Sequence, residues 1–521
     1  MPLSMSRFSR LMHTVRPTTI SLWLALLAGL LMPLALAPLT WWPVALLGIG
    51  LLAELLHGQP ARRAARIAFL FGFGLWLHGG SWLLVSMHDF GDTSWPLALA
   101  LLTFVAALMA LIFIPLGWLY GHFKLDRLSW LTLPALLVIG EWLRSWVLTG
   151  FPWLMIGYGF IDTPLAGWAP FLGIYGVSLA AGITGIALFL VVRDGAKAWL
   201  PLLAVIALWV GGGLLNRIHW TTIDKHNGMS VSLVQGNIPQ ESKWALEWRD
   251  KTVKIYRDLS SSEWGRDLVL WPEAAIPMFA HEAQDVMAEI ENDALKKGSA
   301  FVTGVPYATW NKARTGVLFY NSIAAMGDGL GLYHKQQLVP IGEYIPYEDW
   351  LRGAIPFFDL PMSSFTWGPS DQPPLLVKSQ RMAPFICYEI AYPSLVQRLS
   401  KPADFLATVS NDGWFGHSIG PDQHFEMVRM RAKETGRYIV RGTNNGITAI
   451  IDDQGKVVSQ APRFVTAVLR GEVYPAQGLT FWQRFGVMPI LLICGVLLML
   501  GLWFGRPAKP APAPASPAPL S

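Results

Sequence analysis

The sequence predicts a membrane protein in which eight transmembrane α-helices carry one extramembrane α/β domain. Three observations predict it. The chain of 521 residues is 53% hydrophobic and only 14% charged, with 25 tryptophans, which is far more apolar than a soluble enzyme of this size. It contains eight apolar runs long enough to cross a bilayer, at about 20 residues each. Between the seventh and the eighth, residues 229–475 carry ordinary charge density, Gly and Pro turns and alternating apolar patterns.

The apolar runs fall at 17–38, 40–57, 67–87, 95–120, 128–149, 170–192, 198–216 and 485–505. They divide the chain into a seven-helix region (1–217), the α/β domain (229–475), a last helix (485–505) and a Pro/Ala-rich tail (506–521) too rich in proline to pack. Basic residues assign the sides, because Lys and Arg accumulate in short cytoplasmic loops. Arg7, Arg10 and Arg16 precede the first run, and Arg62, Arg63 and Arg66 separate the second from the third. Lys124 and Arg127, Arg193 and Lys197, then Arg506 and Lys509 follow in alternate connections, whereas the loop His88–Asp92 has no Lys or Arg. Both termini are therefore expected in the cytoplasm and the domain outside. The net charge of +5 says little about partners, and no basic patch argues for nucleic acid. Ala35-Leu36-Ala37 imitates a leader cleavage site, but Pro38 would follow the cut and the next apolar run begins at once, so a helical hairpin is expected there.

Four ionisable or thiol residues inside these runs stand out. Glu141 and Arg144 lie three apart in the fifth run and share a helix face; ionisable groups at that depth suggest function, or an ion pair supporting the loop Gly150-Phe151-Pro152-Trp153. His78 reads as a packing residue, and Cys494 as a lipid-facing or packing one.

Within the domain, Val231–Gln235, Asp267–Trp271, Ala300–Thr303, the run ending at Ile386 and Phe405–Val409 suit buried strands. Lys251–Ser260, His281–Lys296, Ser394–Leu399 and His424–Thr435 suit helices. Tyr438–Arg441 and Gly446–Ile451 flank a Thr-Asn-Asn turn, and Asp452–Gly455 turns the chain into Lys456–Val458. The sum is an α/β domain, helices over packed sheets.

Polar residues at strand ends are where such folds place chemistry. Cys387 ends one strand and is the only cysteine in the domain, so it has no partner for an internal disulfide. Glu273 follows another, in Trp271-Pro272-Glu273, and Lys335 follows a Gly-rich turn. Each has a plain alternative: a buried apolar thiol, a helix cap after Pro272, a solvated turn lysine. Together they hold the parts of acyl transfer through a thioester: a nucleophile, a base and a fixed ammonium for the oxyanion.

Trp271-Pro272-Glu273, the stretch from Lys335 through Glu343 to Pro346, Cys387-Tyr388-Glu389 and Ser410-Asn-Asp-Gly-Trp-Phe-Gly416 resemble the signature segments of the carbon-nitrogen hydrolase, or nitrilase, superfamily. Phe71-Gly-Phe-Gly-Leu-Trp76, Phe151-Pro152-Trp153 and Arg429–Arg437, with seven apolar runs before the domain and one after, resemble its membrane branch, the apolipoprotein N-acyltransferases. The resemblance implies an α-β-β-α sandwich, with Glu273 as general base, Lys335 as oxyanion stabiliser and Cys387 as nucleophile. Glu343, Tyr388 and Glu389 would be supporting positions, the backbone N–H of Tyr388 a second oxyanion donor, and Trp244 a tryptophan at the substrate site. It further implies transfer of the sn-1 acyl chain of a phospholipid, through a Cys387 thioester, to the α-amino group of a diacylglyceryl-cysteine. A membrane-anchored amidase hydrolysing a small amide is the alternative. No cofactor or metal is implied, and a monomer in a bacterial inner membrane, with the domain on the periplasmic side, is expected. The apolar segment Ala354–Trp367 is expected to form a lid dipping toward the lipid, or a loop buried against the domain.

Overall fold

Each apolar run carries helix, since a chain this poor in hydration sites satisfies its backbone polar groups most cheaply within one segment. The computed structural model describes residues 12, 14–16, 18–345 and 364–505; the proline-rich tail, Phe357, Phe358 and the rest of the expected lid up to residue 363 lie outside the described residues. The first eight long helices are α1 (Ile20–Leu31), α2 (Trp42–Leu56), α3 (Ala61–Gly79), α4 (Trp95–Ala110), α5 (Phe113–His122), α6 (Ser129–Leu143), α7 (Ala169–Asp194) and α8 (Trp199–Leu215). The stretches Trp95–His122 and Pro164–Leu215 are long and apolar enough to cross a membrane, while Ile20–Ala35 and Trp42–Leu56 are shorter.

Several boundaries differ from the sequence reading. Arg62, Arg63 and Arg66, expected in a connecting loop, lie in the first turns of α3, because Pro60 opens the helix and arginine is a good helix former. Arg63 uses the position to donate to Ser21 Oγ at 3.0 Å. The fourth run is two helices, α4 and α5, parted by a turn at Leu111 and Ile112. The fifth run stops being α-helical at Leu143, and Leu148 adopts a left-handed φ of 52°. Helix α7 contains a break at Gly173, whose φ of 68° a side chain would resist.

The domain runs β1 (Met229–Gln235), α9 (Arg249–Ser260), β2 (Leu268–Leu270), α10 (Gln284–Lys297), β3 (Ala300–Trp310), β4 (Val317–Gly327) and β5 (Gly329–His334). It continues with β6 (Leu375–Val377), β7 (Gln380–Ile386), α11 (Pro393–Ser400), β8 (Phe405–Ser410), α12 (Gly420–Thr435), β9 (Ile439–Thr443), β10 (Ala449–Ile451), β11 (Val457–Gln460) and β12 (Ala467–Val473). A last apolar helix, α13 (Met488–Gly505), follows. These twelve strands make one ladder, ordered β11-β10-β9-β8-β7-β6-β5-β4-β3-β2-β1-β12, and Thr222–Ile223 pairs with Ala476–Gln477 in a separate two-stranded sheet. Pairs β1·β2, β2·β3, β7·β8 and β8·β9 are parallel, so two parallel centres lie in one ladder.

The strand period of two decides what packs where. Val231, Leu233, Leu268, Leu270, Ala300 and Val302 point into the same core as Ala383, Phe385, Leu406 and Val440 of the other half of the ladder. Their neighbours Val234, Val269, Trp271 and Phe301 point the other way, onto Tyr256 of α9 and Ile290 and Ala294 of α10. The strand ends of the two parallel centres meet where Asn411, just past β8, donates to Glu273, just past β2.

Helix α12 fastens the domain to the helical part, and does so at breaks in the helical chain. Glu434 accepts from Ile174 N at 2.6 Å, one residue past the Gly173 break, and forms a wholly buried ion pair with Arg431 at 2.6 Å. Arg431 donates to Tyr158 Oη at 2.8 Å, Glu426 accepts from Ala37 N at 3.1 Å, and Gln423 Oε1 accepts from Trp153 Nε1 at 2.7 Å. Polar groups that a helix break leaves unpaired must find partners elsewhere, and α12 supplies them.

Candidate active site

Cys387 stands at the end of β7, half-buried, with a left-handed φ of 50° that a non-glycine residue adopts only when its surroundings hold it there. Two contacts do so. Glu389, fully buried in the turn after Cys387, takes Ile386 N at 2.8 Å on one oxygen, and Tyr333 Oη at 2.9 Å and Gln336 N at 2.6 Å on the other. Burial pushes the Glu389 carboxyl up to about 7, against these donors. From behind, His424 Nε2 lies 3.0 Å from the Cys387 carbonyl oxygen, while its Nδ1 faces Arg441 Nη2 at 3.2 Å. Because Arg441 can only donate, Nδ1 accepts and the Nε2 hydrogen goes to Cys387. Burial and the Arg441 charge hold this imidazole below its usual range, in agreement with the neutral ring.

Glu273 and Lys335 converge on the thiol from the other half of the ladder. Glu273 lies just beyond β2 in a turn without helix, since the next helix opens only at Gln284, so the capping alternative fails. Its Oε1 accepts from Asn321 Nδ2 at 2.8 Å and its Oε2 from Asn411 N at 2.8 Å, which fixes the plane of the carboxylate. Its own carbonyl accepts from Lys243 Nζ at 2.9 Å. Lys335 is 1% exposed, which excludes the solvated-turn reading; it directly follows β5, and its Nζ lies 2.8 Å from Glu343 Oε1 and 3.8 Å from Glu273 Oε1. Burial pulls this ammonium down, but Glu343 and Glu273 outweigh it and hold it above its ordinary range. Glu343 is anchored in turn by Asn321 Nδ2 at 2.9 Å and Val339 N at 2.8 Å. Burial and the Glu273 carboxylate push the Cys387 thiol up to about 12, with Lys335 pulling the other way. The resting thiol is neutral and gives up its proton only to a group poised to take it.

Tyr388 is buried and donates to Gly150 O at 3.1 Å, joined there by Tyr392 Oη at 2.9 Å. Gly150 belongs to the loop that the Glu141 and Arg144 side chains support. Arg144 Nη2 donates to Leu154 O at 2.8 Å, Ile156 N donates to Glu141 Oε1 at 2.7 Å, and the pair itself is 3.7 Å apart. The ion pair supporting the loop is thus the reading that the contacts favour. His78 Nδ1 is engaged with Leu30 O at 2.6 Å and Cys494 is fully buried, so both are packing residues. Trp244 stands half-buried beside Lys243, outside the hydrogen-bonded cluster.

The family model described as "Apolipoprotein N-acyltransferase N-terminal domain" matches residues 28–187, and the carbon-nitrogen hydrolase model matches residues 230–477. The apolipoprotein N-acyltransferase of Pseudomonas aeruginosa is 42% identical over 497 residues, covering 94% of this chain and 96% of the relative. The chain belongs to the apolipoprotein N-acyltransferase family. The enzymes of that name from Azotobacter vinelandii, 42% identical over 94% of this chain and 96% of their own, and Vibrio parahaemolyticus, 39% over 91% and 95%, agree. In this apolipoprotein N-acyltransferase family member, Glu273, Lys335, Cys387, Glu343, Tyr388 and Glu389 share one neighbourhood, and Trp244 directly follows Lys243, whose ammonium reaches the Glu273 carbonyl. Sequence reasoning missed Asn321, Lys243, His424 and Arg441. Asn321 sits in the middle of a β-hairpin, and nothing in its local pattern points inward to a site; His424 and Arg441 read as ordinary residues of a helix and a strand.

Proposed function

We propose that this chain moves an acyl group from a phospholipid to the α-amino group of an N-terminal diacylglyceryl-cysteine, with a thioester on Cys387 between the two halves. The observation that carries the reading is the convergence of Glu273, Lys335 and Cys387 from separate strand ends in a member of this family. In the first half, Cys387 Sγ attacks the sn-1 ester carbonyl while Glu273 takes the thiol proton. The oxyanion meets Lys335 and the backbone N–H of Tyr388. Glu273 then returns the proton to the departing lysophospholipid alkoxide, and the thioester remains. In the second half the amine nitrogen attacks the thioester carbonyl, Glu273 accepts an amine proton, and the amide forms as the sulfur leaves and is reprotonated. Glu343 and Glu389 keep Lys335 and the Cys387 turn in place.

The setting follows from the same reading. The eight apolar runs are membrane spans of the bacterial inner membrane, with both termini in the cytoplasm and the domain, an α-β-β-α sandwich, on the periplasmic side. The domain limits 1–217, 229–475 and 485–505 describe this arrangement, and the protein works as a monomer. Two lipid-borne substrates explain why the thiol stands close to helices that lie in lipid, where water is scarce and a thioester survives. Intact-mass measurement of the purified protein incubated with phospholipid tests the mechanism. An acyl adduct on Cys387 that disappears when a diacylglyceryl peptide is added is expected; no adduct, or an equal one in Cys387→Ala, would sink it.

A further inference from the structure

Beside Cys387 lies a second polar cluster that this mechanism leaves idle. Strand β8 runs parallel to β7 with Val409 opposite Ile386, so Ser410, one step further, arrives beside Cys387. Ser410 is fully buried, and its Oγ lies 3.3 Å from Cys387 Sγ and 2.6 Å from Asp412 Oδ1. Arg441 Nη2 reaches both oxygens of Asp412, at 3.1 and 2.9 Å, and holds that carboxyl below the usual range even though burial opposes it.

We propose that Ser410 is a further catalytic group, a hydroxyl that turns its one hydrogen from Asp412 to the Cys387 sulfur whenever that sulfur carries negative charge. The proposal rests on the acyl-transfer reading above. A hydroxyl has one hydrogen, and here two acceptors lie within reach. While the thiol is neutral, the shorter, charge-assisted contact to Asp412 wins. The thiol then keeps its own hydrogen for Glu273. When Glu273 removes that hydrogen, a thiolate stands at 3.3 Å from Oγ, and the Ser410 hydrogen turns to it. Asp412 loses one donor but keeps both Arg441 contacts, so no buried carboxylate is left bare. No bond to Ser410 forms or breaks, and its proton stays with it. The thiol proton rides on Glu273 throughout. In the second half, the sulfur expelled from the tetrahedral intermediate meets the same hydrogen before it is reprotonated.

The ionisable groups around this sulfur are Glu273 and Lys335, Lys243 beyond Glu273, Glu389 in the turn, and Asp412, Arg441 and the neutral His424. None of these lies in a hydrogen bond with the sulfur; among the described residues that contact belongs to the Ser410 hydroxyl.

Ser410→Ala in the full-length protein tests this. The variant keeps the Arg441 contacts of Asp412 and should fold, which thermal melting checks; Ser410→Gly replaces it if it does not. Alkylation of Cys387 by iodoacetamide, read by peptide mass from about pH 7 to about pH 10, should slow about tenfold or more at every pH, the cost of one hydrogen bond to a charged group. Acylation by phospholipid and transfer to the peptide should both slow by a similar factor with KM for phospholipid unchanged, while Ser410→Thr, which keeps a hydroxyl, stays near the unsubstituted rate. Alkylation of Ser410→Ala at the unsubstituted rate would overturn the proposal. Alkylation that depends on Ser410 in a protein that never forms an acyl adduct would instead retire the acyl-transfer reading and leave the Ser410 contact standing.

Discussion

Both halves of this molecule bury charge, and they use it differently. In the α/β domain, the charges of Glu273, Lys335 and Asp412 bear on the protonation of one sulfur, while Glu343 holds Lys335 and Glu389 holds the turn that carries the thiol. In the helical part and along its seam with α12, Glu141 with Arg144 and Glu434 with Arg431 each hold a place where helix geometry fails. Charge placed round an atom changes chemistry; charge placed at a chain break restores hydrogen bonding. Substitution in the first group should therefore cost rate with little stability, and in the second group stability first.

Cys387→Ala is the extreme case. It should abolish acyl adduct and transfer together while the melting temperature stays within a few degrees, because the side chain removed is small and half-buried. A large fall in melting temperature would blur the distinction. At the seam, Arg431→Met leaves Glu434 buried without its partner and should cost about 3–5 kcal/mol of stability above about pH 7, where Glu434 is charged, measured by thermal or denaturant unfolding. Its pH dependence has a definite sign. Burial holds the Glu434 carboxyl up at about 7 from an ordinary 4.5, so the folded chain keeps a proton that the unfolded chain has released. Stability is greatest below the unfolded value and falls as pH rises through about 7, and without Arg431 the decline should extend to higher pH.

Lys335→Met should lower transfer about 100- to 1000-fold, the usual loss for one oxyanion donor, with little change in phospholipid KM. Gly304→Ala sits between the two classes. A Cβ there would lie 2.7 Å from Glu273 Cα and 2.5 Å from Ala274 N, so the backbone carrying Glu273 must shift. The expected cost is about 1–3 kcal/mol in stability together with a loss of rate, read from melting and kinetics on one preparation. The smallest effect is on the unsubstituted thiol. Held near 12, it should show an iodoacetamide rate that climbs with pH without a plateau around an ordinary thiol value of about 8.5.

The sequence made some of this legible and hid the rest for identifiable reasons. Strands ending at Gln235, Ile386 and Ser410 and helices near Arg249–Ser260 and Gln284–Lys297 follow from period-two and helical patterns, and they lie where those patterns put them. The hairpin β3–β4 was read only at its start, because its later residues Tyr307–Trp310 and Val317–Tyr320 are more exposed and lose the buried alternation. The breaks at Leu111 and Gly173 lie in runs whose composition is uniformly apolar, and hydropathy carries no record of a turn that neighbours make good. Glu273 and Lys335 each admitted a bland reading in isolation; burial of Lys335 and the absence of a helix after Pro272 removed both.

What the sequence determined by itself was the kind of parts: apolar runs too long for a soluble chain, a β-rich domain between them, and a lone thiol following a carboxylate and a lysine in order. Those depend on composition, local period and family resemblance, which are properties of short stretches. What the tertiary structure decided was which residues meet. Ser410 reaches Cys387 because β8 lies parallel to β7 in one register, Asn321 spans Glu273 and Glu343 because β4 folds back on β3, and Glu434 meets Ile174 across 260 positions of chain. Such contacts are fixed by strand register and by the close packing of distant segments, and no window of sequence contains them.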